Sequence, residues 1–521
     1  MLLDALSTNV PASVRTAAVP ERVRATKAFA WNRRSLAVLA ILGLVIAAAA
    51  AWYLKGQSTP PPTVSVAAAD DSAFSRTLAR DLIVKLGTLR GSQTQAITIV
   101  NTAARQRKAD FEFAVNGSND PNEVRASVAL VSNNDGAILW SKDFVQPSGG
   151  IPDLQHQVAF TAARVLGCAL ETQGPDQPRL EQQLIRLYLS GCAQLDETFG
   201  EGGRTVIPSF LAVLKEAPTF RPGWAKLLLA EATFSGWQVL TGNAYEQSRQ
   251  TVRQHIAKAR ELDPNMPEAA IAEVALLPYR AFEETLRLLE RAKKLHPHNA
   301  ALLSWHAGAL RTVGRMRESI EDSRRASELD PLSPSARGAY VMALLYAGRL
   351  DAAEKELQRF EKLWPGTGML QELQFRYHLR FGDPQKALRM ARTLDIGGPN
   401  VEPFLMARID PSRENIDRFF ANVRQDDINY VGVMAQAMAQ FDREDQLYDL
   451  LASWPRREDI VETGDLWFRP ALKKFRADPR FMNLAAEIGL VDYWQESGKW
   501  PDFCREPGLP YDCKAEAAKL G

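Results

Sequence analysis

The sequence predicts a mainly α-helical protein built, in order, from a single transmembrane helix, a small α/β module and an α-solenoid. Three observations predict it. Leu36 to Leu54 carry no charged or strongly polar side chain. Between residues 63 and 173, short alternating apolar runs are framed by two amphipathic helical stretches. Further on, Gly314, Gly348 and Gly382 recur at one constant interval, and Pro331, Pro365 and Pro399 keep the same interval.

The span comes first. Nineteen apolar residues in a helix cover about 28 Å, close to the thickness of the hydrocarbon core of a bilayer. Residues 1–34 form a basic tail, with Arg15, Arg22, Arg24, Lys27, Arg33 and Arg34 against Asp4 and Glu21. The positive-inside rule places that tail in the cytoplasm and the chain beyond Lys55 outside, with Trp52 and Tyr53 at the far interface. A cleaved signal peptide competes, because Ala47 to Ala51 holds an A-x-A pattern, but its basic region would be unusually long. The arginines suit anionic lipid heads as well as orientation. A linker, residues 55–62, follows with Ser58-Thr59-Pro60-Pro61-Pro62.

The α/β module is expected over residues 63–173. An extended stretch from Thr63 to Val66 precedes an amphipathic helix from about Ser72 to Leu89, with Phe74, Leu78, Leu82 and Leu86 on one stripe. Short strands follow at Ile97 to Val100, at Phe111, Phe113 and Val115, and at Val124 to Leu130. Asn133-Asn134-Asp135-Gly136 reads as a hairpin turn leading to Ile138, Trp140 and Phe144, and Asp153 to Leu170 as a closing helix. Trp140 and its neighbours read as packed core.

The solenoid is expected over residues 178–490, with its best units at 300–399. A unit of about 34 residues holds two antiparallel helices and two turns, glycine ending the first helix and proline following the second. Pro297 continues the proline series backwards, and Ala326 follows Ala292 at the same interval. A preceding unit from Asn265 to Pro297 is one residue short and carries Pro278 inside its pattern, which marks a degraded copy. Leu180 to Ala193, Val206 to Lys215 and Trp224 to Phe234 extend the stack outside the period.

Composition agrees with several modules: 521 residues, 46% hydrophobic and 24% charged, are ordinary for folded protein and long for one core. A net charge of +1 offers no global field for nucleic acid. No nucleophile elbow, zinc-protease helix, phosphate loop or dinucleotide fingerprint occurs, so no catalytic residue, cofactor or metal is expected. Gly200-Glu201-Gly202-Gly203-Arg204 reads as a loop and His296-Pro297-His298 as a turn. Asp70-Asp71 precede a helix whose N-terminus favours carboxylates. The four cysteines lie beyond the span, and an even count suggests two bridges. Cys504 and Cys513 enclose a short Pro- and Gly-containing loop and are the better pair. Cys168 and Cys192, near the ends of neighbouring helices, either bridge or remain two buried thiols.

Ala307, Leu310, Gly314, Ser319, Ala326 and Leu329-Asp330-Pro331 resemble the tetratricopeptide repeat, and Val341, Leu344, Gly348, Ala353 and Leu363-Trp364-Pro365 repeat the scheme. Phe375, Gly382, Ala387 and Pro399 do so more loosely, and Phe360 stands where the family has a small residue. The resemblance implies a groove formed by the first helices, with Ser304, Gly308, Arg311, Met342, Leu345 and Arg376 facing a protein or peptide partner rich in carboxylates. The alternative is that these residues only solvate or pack a scaffold.

Asn116-Gly117-Ser118, Val124 to Val131, Ala137 to Ser141 and Asp153-Leu154-Gln155 resemble the amino-terminal domain of TolB. Together with Ala477 to Phe481, Asp492-Tyr493-Trp494 and Gly498 to Cys504 near the end, the order of parts resembles the periplasmic half of CadC-type membrane transcription regulators and of cyclase-associated repeat proteins. Residues 491–521 would be a tail holding the Cys504–Cys513 bridge. The expected function is a single-pass inner-membrane protein with its bulk in the periplasm, acting as scaffold or sensor for a protein partner. The alternative is the sensor half of a regulator or receptor whose effector domain is missing, because the short basic tail ahead of the span cannot fold alone.

Overall fold

The computed structural model describes residues 62–89, 98–99, 109–174, 176–195, 202–235, 242–425, 430–454 and 464–520. The chain divides into two units, Met1–Pro60 and Pro61–Gly521, and the description concerns the second. The basic tail, the expected span at 35–54 and nearly all of the linker lie outside the described residues.

Among the described residues no helix is long and apolar enough to cross a membrane. This corrects the single transmembrane helix of the predicted fold class and the single-pass inner-membrane location that rested on it. The physical reason lies in the helices themselves. Ile151–Glu171 and Gly242–Leu262 reach 21 residues each, but the first carries Asp153, His156 and Arg164 and the second is studded with arginine and glutamine. The first is covered on most sides by the sheet and the stack, and the second buries one stripe and leaves the rest to water. The architecture observed is mainly helical, with a small sheet and a solenoid of helical hairpins.

The sheet has the order β2-β1-β3-β4-β5. Its strands are β1 (Thr63–Ala68), β2 (Thr98–Ile99), β3 (Phe111–Asn119), β4 (Glu123–Ser132) and β5 (Ile138–Pro147). β1 pairs in parallel with β2 and β3, whereas β3, β4 and β5 form an antiparallel meander. Alternation decides the faces: Phe111, Phe113 and Val115, with Val124, Ala126, Val128 and Leu130, are buried. Helices α1 (Ala73–Leu89) and α2 (Ile151–Glu171) pack on them. Gly117 lets α1 approach, since a Cβ there would lie 2.5 Å from Leu78.

Helices α3 (Gln182–Leu195), α4 (Gly202–Glu216), α5 (Arg221–Ser235) and α6 (Gly242–Leu262) open the stack. In the next pair, α7 (Pro267–Ala275) and α8 (Phe282–Leu295), the first helix is only 9 residues long and stops ahead of Pro278, whose ring and missing N–H are costly in a helix interior. Then the period takes hold. First helices α9 (Ala300–Thr312), α11 (Pro334–Tyr346) and α13 (Gly368–Arg380) begin at the interval that the glycines and prolines set. Second helices α10 (Met316–Leu329), α12 (Leu350–Leu363) and α14 (Pro384–Leu394) do the same. Two further pairs follow: α15 (Val401–Ile409) with α16 (Arg413–Asn422), and α17 (Tyr430–Gln440) with α18 (Glu444–Ser453).

Gly314 and Gly348 close the first helices with φ of +80° and +71°, and Arg315 and Arg349 each donate a backbone hydrogen bond to the carbonyl of Leu310 and Leu344 respectively. That is the left-handed cap for which glycine is suited. Gly382 keeps the period for another reason: a Cβ would come within 2.6 Å of the His378 ring.

Module and stack share a connected core running from Val64 to Ala517. Phe160 of α2 meets Trp364 edge-on at 5.3 Å, and the Gln157 side-chain amide donates to the Pro365 carbonyl at 3.0 Å. The α/β module therefore rests on the turns between units. Cys168 of α2 is bridged to Cys192 of α3, and Cys504 to Cys513.

Candidate functional site

The first helices of three successive units line up Gly308, Met342 and Arg376, which recur at the repeat interval and so occupy one repeat position. Arg311 and Leu345 share a second. Ser304 stands one turn ahead of Gly308, its hydroxyl donating to the Ala300 carbonyl at 3.0 Å. Ser304, Gly308 and Met342 are partly exposed, as a groove requires. Leu345 is not, being 1% exposed and packed in the core.

The outer half of this groove is already filled. A later segment of the same chain returns across it as two 3-10 helices, Gly464–Phe468 and Pro470–Leu472. Phe468 and Pro501 press against Gly314, where an added Cβ would sit 2.6 and 2.7 Å from them, and Pro470 lies on Gly348. Positive φ and close approach coincide at Gly314, so its glycine is required twice. The Asp502 backbone N–H donates to the Gly314 carbonyl at 3.0 Å, and the Trp494 indole donates to the Val313 carbonyl at 3.1 Å. Arg315 donates to the Tyr493 hydroxyl at 3.1 Å. Behind the segment, the buried Arg476 guanidinium donates to the carbonyls of Trp467 and Arg469 at 2.7 and 2.9 Å.

Arg311, placed by the repeat pattern to receive a partner's carboxylate, instead donates to Asp465 at 3.2 Å. Arg469 donates to the other oxygen of that carboxylate at 2.8 Å. Burial would raise the Asp465 acid, but Arg469 and Arg311 hold it below its ordinary value. Arg376 is engaged by Glu372 of its own helix and donates to the Tyr346 hydroxyl at 3.2 Å. Tyr346 is the hub: the Arg469 guanidinium lies 4.3 Å from its ring centre and that of Arg380 5.8 Å. Burial favours the neutral phenol, yet Arg469, Arg380 and Arg376 together bring it below its usual value. Burial, with Arg469 and Arg376 nearby, brings Arg380 down to about 10 despite Tyr346 and Asp465.

Tyr346, Arg380, Asp465 and Arg469 were not singled out by sequence reasoning. Tyr346 and Arg380 lie on first helices already identified, and the repeat register carries them to the ends of those helices. Asp465 and Arg469 lie outside the period, and only folding brings them near.

A second polar cluster joins three helices. Lys293 donates to both oxygens of Asp322 at 2.7 and 2.6 Å, and His306 Nδ1 lies 2.5 Å from the same carboxylate. His306 is 3% exposed, so the cluster fastens α8, α9 and α10 together rather than meeting a substrate. Glu171 comes within 4.8 Å of Cys168 and Cys192, but both sulfurs are spent in their bridge and cannot serve as thiolate ligands. A cleft of about 420 Å³ is lined by residues of β5, α2 and the Trp364–Gly368 turn.

No family profile matches the chain. No curated protein matches it either. Among solved structures, yeast Tom70 is similar to 66% of this chain over 76% of its own length, with 14% identity and a TM-score of 0.32. A likeness that weak adds nothing to the fold, which rests on the repeat register of the helices themselves.

Proposed function

We propose that the protein is an interaction scaffold whose helical stack docks a protein partner on the first-helix face. The observation that carries this reading is the register of α9, α11 and α13, which repeats one surface position through Gly308, Met342 and Arg376. Stacked hairpins bury their seams against one another and leave the aligned first helices as a continuous surface. The returning segment narrows that surface to the half around Ser304, Gly308 and Met342. The α/β module ahead of the stack supports a finer form of the reading, in which module and stack correspond to the sensing half of CadC-type regulators.

A photo-crosslinking residue at Met342, compared with one at Lys355, tests the docking face. Lys355 is exposed on the second helix α12. Partner adducts are expected at 342 and not at 355, and Gly308→Glu should remove them while the helical circular dichroism signal stays. Equal crosslinking at both positions would rule out this face.

A further inference from the structure

Three guanidinium groups, those of Arg376, Arg380 and Arg469, gather around Tyr346, Arg311 joins them through Asp465, and the two carboxylates Asp465 and Glu372 accompany the four cations. Two positive charges are left over. The surplus concentrates on Arg380, whose hydrogen bond to the Arg376 carbonyl is a long one, 3.5 Å. Its Nε is buried without a hydrogen-bond partner among the described residues, and so are Nη1 of Arg311 and Nε of Arg469. Guanidiniums that leave water normally do so against an anion, because an uncompensated charge in a low dielectric is costly.

The site is not sealed. Side-chain exposures of 15% for Arg311, 21% for Arg376 and 11% for Arg469 open its rim to solvent. A guanidinium presents its N–H groups as a planar fork, which fits the paired oxygens of a phosphate or carboxylate. The segment from Gly464 to Leu472 lies across the groove beside the cluster and bars an extended chain from running through it. What fits is small.

We infer that Arg376, Arg380 and Arg469, arranged around Tyr346, form a binding site for a small oxyanion carrying up to two negative charges. Part of the site belongs to the repeats and part to the returning segment, so an anion bound there ties the two together. The inference is independent of partner docking, which the crosslinks at 342 report.

The test is calorimetric titration of the full chain in low-salt, phosphate-free buffer with inorganic phosphate and, separately, with succinate. A single saturable site for either probe is expected. Saturation by phosphate alone identifies a tetrahedral ligand and by succinate alone a dicarboxylate, and both outcomes support the site. Arg380→Gln should weaken binding by at least about tenfold, since it removes the charge and the fork. In anion-free buffer it should melt no lower than wild type, because it deletes an unneutralised cation, and phosphate should raise the Tm of wild type only. Arg380→Lys keeps the charge without the fork and should also weaken binding. Arg389→Gln, exposed on α14, should bind as wild type. Absence of saturation with both probes, or wild-type affinity in both Arg380 variants, would overturn the assignment.

Discussion

Gly314 and Gly366 separate two costs that glycine substitutions usually confound. Both have positive φ, at +80° and +69°, but a Cβ at Gly314 meets Phe468 and Pro501 whereas one at Gly366 meets nothing within 4 Å. Gly366→Ala should cost about 1 kcal/mol, the strain of a left-handed alanine. Gly314→Ala adds the displacement of packed rings and should cost about 3 kcal/mol. Urea unfolding of the two variants checks this, and equal losses would show that the returning segment does not press on the turn. Asp465 carries a pH signature. Its acid is depressed in the folded chain, so its stabilisation is complete above the ordinary value of 3.8 and fades as pH falls through the lower folded value. Asp465→Asn should therefore destabilise by about 2 kcal/mol at neutral pH, discounted for a rim that water reaches, and the gap to wild type should begin to narrow only below about pH 4 and close further into acid. A gap that persists in acid would assign the effect to packing.

At the scale of elements, the start of each first helix is fixed by a side chain at the repeat interval. Asn299 accepts from the Leu302 N–H at 2.8 Å, Ser333 from Ala336 at 3.1 Å and Thr367 from Leu370 at 3.4 Å. Asn299→Ala and Ser333→Ala should each lower stability by about 1 kcal/mol, and Thr367→Ala by less because its bond is longer. Denaturation midpoints at constant slope would check the order. The glycines and prolines of this period were legible in the sequence, because a period writes local chemistry into the chain repeatedly; the caps at 299, 333 and 367 keep the same interval and were not singled out. The sheet was legible through its alternation and its Asn133 to Gly136 turn. Residues 464 to 472 were not, since a segment that borrows its partners from the ends of α9 and α11 has no period of its own. For the same reason Arg311 read as a free groove cation: its partner Asp465 lies 154 residues away.

Over the whole molecule, the middle units are covered at both edges. The α/β module meets the turns between units through Trp364 and Pro365, and the returning segment meets the turns within units at Gly314 and Gly348. The bridge between Cys168 and Cys192 closes 24 residues and fastens the module's last helix to the first helix of the stack. Its reduction should cost about 3 kcal/mol by chain entropy, and that of Cys504–Cys513, which closes 9, somewhat less. Calorimetric scans of Cys168→Ser and Cys504→Ser would rank them. A chain ending at residue 463 loses Trp467, Phe468, Trp494 and Phe503 from the shared core and should melt in a broader, earlier transition. An unchanged scan would reduce the segment to a passenger.

That lid also sets an order of events during synthesis. Ordinary hairpin arrays can consolidate from their first members onward, each new pair settling on the last, because contacts are local. Here the pairs around Gly314 and Gly348 emerge from the ribosome long before Phe468, Pro470 and Pro501 exist to seat on them. The centre of the array stays unfinished until residues 464 to 501 are translated, so a nonsense codon ahead of them would harm a region whose own codons had all been read.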